Sequence, residues 1–433
     1  MKATDWSSIP SDRRRAMRSA IFAQCFGMLT QQMLSGGILL LYLNALGVKP
    51  AVILLVLNLT PFLSSLLSVP LAWGADCVGI KRFGGWGNNL MILGMGFIVG
   101  GAFLRGLEPN LVLTAILVGL VIHTVGAAFF NTGWFSLLSH IVPTEVTGRF
   151  FGVIRFSWQL VSLSFFVLSA FLFSPRTPLW IYQAVLCIGG ISTGCRFIFY
   201  KDIPNVPASE SKPLNLMESV QSAHALPGFS PYLAYLLLLV CVTGNGQDML
   251  RLSAVRGCGL GDNQILFLTV GSMLGSLAGF KFMGRIIDHL GPARVFLLCH
   301  IGFAIALFLF PARVLFHTSP LAAGFIASMV LGLISATLGL TTTAQSFRIC
   351  RGVQRTIAYA LVSAAQSMGS GLSGFALAAM LSHIGISIPG GNPFDLILIG
   401  LGVFVLLQIA GLRILADKRE GIERGIVATT GIS

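Results

Sequence analysis

Long apolar runs alternate with short polar segments along most of this chain. A helix needs about 20 mostly apolar residues to cross about 30 Å of hydrocarbon. The pattern therefore predicts twelve spans, at residues 20–46, 50–75, 83–105, 111–137, 150–173, 178–199, 231–251, 263–284, 293–312, 319–343, 357–382 and 393–416. We expect an all-α membrane protein with twelve transmembrane helices.

One polar segment is longer than the others and divides the spans six and six. It covers residues 201–230, is punctuated by prolines and has no apolar run long enough to cross a membrane. Such a composition marks a linker. We predict an N-terminal half with spans one to six in residues 1–200, a cytoplasmic linker in residues 201–230, and a C-terminal half with spans seven to twelve in residues 231–433.

The composition supports the membrane class. Hydrophobic residues make up 55% of the chain and charged residues only 10%, and the mean hydropathy is +0.84. A soluble domain carries about 25% charged residues, so lipid must solvate much of this surface. The net charge of +13 does not predict nucleic-acid binding, because the basic residues are scattered instead of clustered on one water-facing module. The eight cysteines show no metal-ligand spacing, and we expect no metal and no cofactor.

The distribution of basic residues predicts the orientation. If the N-terminus is cytoplasmic, most of the 28 Lys and Arg residues fall on cytoplasmic segments. Cytoplasmic loops of membrane proteins carry this excess. We therefore expect a multi-pass protein with both termini in the cytoplasm. The short loops and the lack of an appended domain favour a bacterial inner membrane, and we expect a monomer.

A short acidic turn occurs twice, in the segments LAWGADCVGIKRFG (71–84) and FMGRIIDHLGPARV (282–295). A constant shift of 212 residues superposes the two turns and also aligns residues before them, without a gap: Asp76 with Asp288, Gly79 with Gly291, Arg82 with Arg294, Gly47 with Gly259, Ile53 with Ile265 and Leu54 with Leu266. The first two spans of each half are therefore copies of one unit. Two parallel six-span repeats are typical of transporters that hold one cavity between the repeats at the membrane midplane.

The acidic turn has the chemistry of a gate. Glycine permits the tight connection between successive spans, and the basic residues anchor the turn at the inner surface. A carboxylate at this place can meet helix N-termini, whose partial positive charge favours an anion. We prefer a cytoplasmic gate to a plain interfacial loop, because the turn is repeated, and assign to it Asp76, Gly79, Lys81, Arg82, Asp288, Gly291 and Arg294.

The turn resembles the motif G-x-x-x-D-[RK]-x-G-[RK]-[RK] that the major facilitator superfamily carries between spans two and three. The second copy matches at Gly284, Asp288, Gly291 and Arg294, whereas the first has Ala72 and Cys77 at two motif positions. The resemblance implies the fold of that superfamily, two pseudo-symmetric six-helix bundles, and transport by alternating access. It also implies that Asp76 faces the start of span eleven near Thr356 and that Asp288 faces the start of span five near Gly148.

The segment PTEVTGRFFG, residues 143–152, resembles the loop that this superfamily places between spans four and five. It keeps Gly148, Arg149 and Gly152 but has Thr147 in place of an arginine, and the resemblance adds Gly148 and Arg149 to the gate, together with Gly284. Span five lacks the glycine–proline pattern of proton-driven drug antiporters. This absence disfavours drug–proton exchange.

Polar side chains near the middle of spans indicate a substrate cavity. They are costly in lipid and usually face the bundle interior. We predict that the cavity is lined by Gln31, Gln32, Ser35, His123, Gln159, Asn245, Gln247 and Gln366. The alternative for each is a hydrogen bond to a neighbouring helix. The glycines around Asn245 predict a broken helix there, which would free backbone groups for a ligand.

Of the fifteen acidic residues, only Asp248 falls within a span and away from a loop. A proton symporter usually carries a buried titratable group, so the coupling candidates are Asp248 and His123. Arg251 lies three residues after Asp248 on the same helical face. Pairing with Arg251 would keep Asp248 ionised and weakens the coupling hypothesis.

These observations lead to one main functional hypothesis, a secondary transporter that moves a small polar organic solute by uniport or proton-linked symport. The alternative is an exporter of amphipathic compounds or drugs, which would have a cavity dominated by aromatic residues. A membrane enzyme is a remote alternative, because we find no clustered nucleophile, acid–base pair or metal set, and so is a transport-dead receptor. The expected partners are a small-molecule solute, the lipid bilayer and, for symport, protons, with no nucleic acid.

Overall fold

The structure is a computed structural model that describes residues 10–35, 37–101, 103, 109–143, 147–205, 215–349, 355–383 and 392–411. The described chain is built from helices and contains no strand in these ranges. The helices are α1 (Ser11–Ser35), α2 (Ile38–Ala45), α3 (Pro50–Val78), α4 (Ile80–Gly101), α5 (Pro109–Ile141), α6 (Thr147–Leu172), α7 (Leu179–Lys201), α8 (Leu216–His224), α9 (Phe229–Thr243), α10 (Gly246–Leu252), α11 (Asp262–Leu290), α12 (Pro292–Leu309), α13 (Pro320–Ile349), α14 (Arg355–His383) and α15 (Pro393–Leu407).

Twelve spans result when α1 with α2, and α9 with α10, are each counted as one broken span and α8 is left in the linker. Ten of them, within the described ranges, are long and apolar enough to cross a membrane. The other two are α4 and α14, with 22 and 29 residues, whose glycines and polar residues lower their hydropathy. The chain is therefore an integral, multi-pass membrane protein, and the predicted fold class is confirmed.

The internal repeat is visible in the backbone. Helices α3 and α11 begin and end 212 residues apart, at Pro50–Val78 and Asp262–Leu290. Helices α4 and α12 begin with the same shift. The aligned glycines share a positive φ, 78° and 70° at Gly47 and Gly259 and 101° and 76° at Gly79 and Gly291. Glycine is needed at these turns because a Cβ disfavours that backbone conformation.

Two spans are broken near the middle of the molecule. The seventh span stops at Thr243 and resumes at Gly246, so the predicted break around Asn245 is confirmed. A turn of π-helix follows α10 at Ser253–Gly257. The first span is also broken, between Ser35 and Ile38, where Gly37 has φ 107°. We did not predict this second break.

Successive spans run in opposite directions, so their ends form two faces. The face with the start of α1, the end of α3 and the end of α7 is called the terminal face here. The opposite face carries the turns at 46–49, 173–178 and 258–261 and is called the far face.

Two helix pairs join the predicted halves, α3 with α14 and α6 with α11. The repeat relates these pairs to each other, because α3 corresponds to α11. Helices α3 and α14 approach closely at Gly374, where a Cβ would overlap the side chain of Asn58. Small residues at such crossings let membrane helices pack tightly. The division into halves at residues 200 and 231 stays a prediction.

Candidate functional site

A cavity of about 550 Å³ lies in the middle of the bundle, between the two predicted halves. Helices α1, α3, α5, α6, α10, α11, α13 and α14 contribute to its wall. Most of the side chains on the wall are polar, and they include Gln31, Gln32, Ser35, Asn58, Thr60, Ser64, His123, Gln159, Asn245, Gln247, Asp248, Arg251, Thr269, Ser272, Ser276, Ser335, Ser367 and Ser370. The size is that of a site for a small organic molecule.

The structure brings together most of the residues that the sequence suggested for the cavity. Its wall contains Gln31, Gln32, Ser35, His123, Gln159, Asn245 and Gln247, and also the coupling candidate Asp248. Gln366 is not among the lining residues. Ser367 and Ser370 line the cavity from the same helix, because neighbouring helix positions point about 100° apart. Solute binding by these residues stays a prediction.

Hydrogen bonds hold several of the cavity amides in place. Asn245 Nδ2 donates to the carbonyl oxygen of Ser370 at 2.8 Å. Gln159 Nε2 donates to the carbonyl oxygen of Met273 at 3.3 Å, which links α6 to α11. Gln247 Oε1 accepts from Ser272 Oγ at 3.0 Å. These side chains thus brace neighbouring helices and face the cavity at once, so both interpretations of them hold.

Sequence reasoning missed the contribution of α3 and α11 to the wall. These helices line the cavity at aligned positions, each pair 212 residues apart: Leu57 with Thr269, Thr60 with Ser272, Pro61 with Met273, and Ser64 with Ser276. The signal was present in the sequence. Carrying the repeat one step further would have shown hydroxyl residues at matching places of two otherwise apolar helices.

One ion pair lies on the cavity wall, on the short helix α10. Arg251 Nη1 donates to Asp248 Oδ1 at 2.9 Å. The same Nη1 lies 3.3 Å from the carbonyl oxygen of Ser35, to which it also donates. Ser35 is the last residue of α1, and the final carbonyls of a helix have no partner within the helix. The break at Gly37 therefore supplies the acceptor that joins α10 to α1.

Contacts between the predicted halves close the far face of the cavity. Arg256 Nη2 donates to the carbonyl oxygen of Val48 at 3.1 Å. The backbone N–H of Thr177 donates to Asp262 Oδ2 at 2.9 Å. The rings of Phe171 and Phe267 meet edge to face, with centroids 5.9 Å apart. Together with the Arg251–Ser35 contact, they seal the cavity from the far side.

The predicted gate residues lie at the terminal face. Gly79 and Gly291 end α3 and α11 in the expected turns. Lys81 Nζ donates to the carbonyl oxygens of Lys201, at 2.9 Å, and of Ile203, and so binds the carboxyl end of α7, a favourable place for a cation. Arg82 and Arg294 are exposed.

The remaining gate residues are seen only in part. The backbones of Asp76, Asp288, Gly148 and Arg149 are helical, but their side-chain surroundings lie outside the described part of the chain, as do those of Thr356. Gly284 faces open space. The gate therefore stays a prediction.

The described part of the chain contains no group of three or more His, Cys, Asp or Glu residues that could hold a metal ion. What the cavity offers instead is amide and hydroxyl hydrogen-bonding groups, one imidazole and one ion pair. This arrangement can bind a polar solute and does not assemble a set of catalytic groups in the described residues.

Comparison with known proteins gives a fold. The sequence matches no family model and no curated protein. The structure is similar to a POT family transporter in complex with a thioalcohol conjugated peptide, with a TM-score of 0.72 at 13% identity over 94% of this chain and 96% of that chain. For the nucleoside transporter NupG, the TM-score is 0.65 at 11% identity over 94% and 99% of the two chains.

The xylose transporter XylE from E. coli, in a partially occluded inward open conformation, is also similar. Its TM-score is 0.67 at 12% identity, over 93% of this chain and 97% of that chain. At such identities the likeness shows the fold alone. The twelve-span fold that the turn motif implied, that of the major facilitator superfamily, is thereby confirmed.

Proposed function

We propose that this chain is a secondary transporter that moves a small polar organic solute by alternating access. The observation that carries the proposal is the polar cavity, held between two repeats and sealed from the far face by contacts that join the repeats. A carrier of this kind populates two states, and the solute favours whichever state it binds better. The structure corresponds to the state in which the far face is closed.

The wall of the cavity favours a polar solute over an amphipathic drug. Apart from His123, the aromatic residues among the described lining residues are Trp158 and Phe280. An exporter of amphipathic compounds would need a wall dominated by such rings. We also propose transport in place of catalysis, because the polar groups on the wall surround a space large enough for a whole solute.

We propose that the terminal face is cytoplasmic and that the protein works as a monomer in a bacterial inner membrane. The basic residues near the terminal face, such as Arg15, Lys81 and Lys201, support this orientation. Coupling to protons would use Asp248 or His123. The pairing of Asp248 with Arg251 supports His123, or uniport, over Asp248 as the proton carrier.

Transport in proteoliposomes of purified protein tests the proposal. Solute uptake and internal pH would be followed while sugars, amino acids, nucleosides, carboxylates and hydrophobic dyes are offered in turn. The proteins compared are the wild type, Asp248→Asn and His123→Gln. We expect saturable uptake of a polar solute, and for symport a proton influx that one of the two substitutions abolishes.

The outcomes separate the hypotheses. Uptake of a polar solute without proton movement would indicate uniport and would leave both residues with binding or structural roles. Transport of hydrophobic dyes alone would favour the exporter. Failure to move any solute of the panel, by a protein that is folded in the liposomes, would contradict the proposal.

A further inference from the structure

The charges on the cavity wall narrow the class of solute, if the chain is the transporter proposed above. Among the described residues of the wall, Asp248 is the one acid and Arg251 the one fixed base. Both belong to α10, between the break at Asn245 and the π-helical turn that begins at Ser253. The wall therefore presents one negative and one positive group, side by side.

The two groups are not equally satisfied. The side chain of Asp248 keeps 20% of its surface exposed and that of Arg251 keeps 5%. Arg251 Nε is buried without a hydrogen-bond partner. So is Nε2 of Gln247, the residue before Asp248. Beside the carboxylate, the wall thus holds two donors that have no acceptor in the protein.

A solute with a single charge fits this wall poorly. It would pair with one member of the ion pair and leave the other unpaired in a site closed to water from the far face. An unpaired buried charge is strongly unfavourable. A solute that carries both charges replaces the internal ion pair with two new pairs, and no charge is left over.

We propose that the transported solute is a zwitterion of the amino-acid class. Its ammonium group binds Asp248 and its carboxylate binds Arg251, with Gln247 Nε2 as a further donor to the carboxylate. Trp158 and Phe280 line the same cavity and offer apolar surface for the body of the solute.

Binding in this way would also act on the closed face. Arg251 Nη1 donates both to Asp248 and to the carbonyl oxygen of Ser35 on α1. A carboxylate that draws the guanidinium away from Asp248 weakens the contact with Ser35 as well. The residue that recognises the solute is thus one of those that hold the far face shut.

The test uses matched solutes that differ in charge alone. L-Leucine and L-phenylalanine would be compared with their amides, which lack the carboxylate, and with 4-methylpentanoate and 3-phenylpropanoate, which lack the ammonium group. The other standard amino acids, glycyl-leucine, xylose and uridine complete the panel. Competition with uptake and counterflow in proteoliposomes would be measured for the wild type, Asp248→Asn and Arg251→Gln.

We expect the wild type to transport zwitterions in preference to their one-charge analogues. Each single substitution should reduce zwitterion uptake by about 10- to 100-fold, the usual effect of losing a hydrogen bond to a charged group. The preference should also change sign. Asp248→Asn should accept the carboxylates, which need Arg251, and Arg251→Gln should accept the amides, which need Asp248.

A second buried ion pair provides the matched control. Arg313 and Asp395 form two hydrogen bonds, at 3.0 and 2.8 Å, and neither residue lines the cavity. The double variant Arg313→Gln/Asp395→Asn loses a buried pair of the same kind and should keep the wild-type preference. The double variant Asp248→Asn/Arg251→Gln should lose it.

Every outcome decides the matter. If neutral solutes alone are transported, or if both cavity variants transport zwitterions like the wild type, the inference is wrong and the transporter remains. If both variants lose uptake of all solutes to the same degree, the ion pair is a brace between α10 and α1 and the inference is again wrong. If the folded wild type moves no solute, the proposed function itself fails.

Discussion

Arg196 shows what a single residue can hide from sequence reasoning. It lies near the end of α7, where the distribution of basic residues suggests a cytoplasmic anchor. The structure instead places it among α1, α4 and α5, with 7% of its surface exposed. Its guanidinium lies 3.5 Å from the ring centroid of Phe130, and its Nε has no hydrogen-bond partner. None of the ion pairs of the described residues includes it.

Replacing Arg196 with methionine should not destabilise the protein. The interaction with the Phe130 ring contributes about 0.5–2 kcal/mol, whereas burying an ion without a counter-charge costs several kcal/mol. Arg196→Met removes the charge and keeps most of the volume, so we expect an equal or higher melting temperature in detergent. Arg196→Ala serves as the control, because it also leaves a cavity and should melt lower. A clear loss of stability in Arg196→Met would show that the ring contact outweighs the burial of the charge.

Gly27 gives Arg196 its place. A Cβ at residue 27 would overlap the guanidinium, so Gly27→Ala should lower the free energy of unfolding by about 1–3 kcal/mol, the usual cost of overpacking. The cost should vanish when Arg196 is alanine, and a double-mutant cycle on unfolding in detergent measures this coupling. Gly194→Ala is the control, since residue 194 has open space beside it. An undiminished cost in the double variant would contradict the contact.

The transmembrane elements were predictable because lipid imposes a length on each of them. The acidic turns were predictable because the repeat doubled a weak signal. The break at Gly37 was not, because positive φ leaves no trace in hydropathy, and the sequence around it reads as one apolar run. The cavity residues on α3 and α11 were missed because single hydroxyl residues in an apolar helix usually bond to their own backbone. Ser68 on α3 does so, donating to the carbonyl oxygen of Ser64.

The two motif glycines of α11 should respond differently to alanine. Gly291 has φ 76° and ψ 156°, a region that residues with a Cβ seldom adopt, so Gly291→Ala should cost about 1–3 kcal/mol of stability. Gly284 lies inside the helix beside open space, so Gly284→Ala should be neutral or stabilising by up to about 1 kcal/mol. Thermal unfolding of both variants in detergent measures the difference.

The first repeat already contains one of these changes. Ala72 occupies the position that corresponds to Gly284, and it packs inside α3 with 1% of its surface exposed. This departure from the superfamily motif is thus compatible with the turn, whereas Gly79 keeps the positive φ of Gly291. Equal effects of Gly284→Ala and Gly291→Ala would mean that backbone conformation does not explain the motif.

At the scale of the whole molecule, the two halves must separate at the far face before a solute can enter or leave there. The facing rings of Phe171 on α6 and Phe267 on α11 lie on this path, with centroids 5.9 Å apart. Cross-linking cysteines at these two positions with a short, cleavable thiol reagent should abolish solute uptake. Cleaving the linker should restore it. The eight native cysteines would first be replaced, and uptake by that background protein sets the reference.

A pair within one half is the control for this experiment. Phe22 on α1 and Phe199 on α7 stack with centroids 5.1 Å apart, and both belong to the predicted N-terminal half. If the halves move as units, cross-linking cysteines at 22 and 199 leaves uptake unchanged, because their separation is the same in both states. Loss of uptake with both pairs would mean that the helices of one half also rearrange during transport. Unchanged uptake with the 171–267 pair would contradict alternating access through the far face.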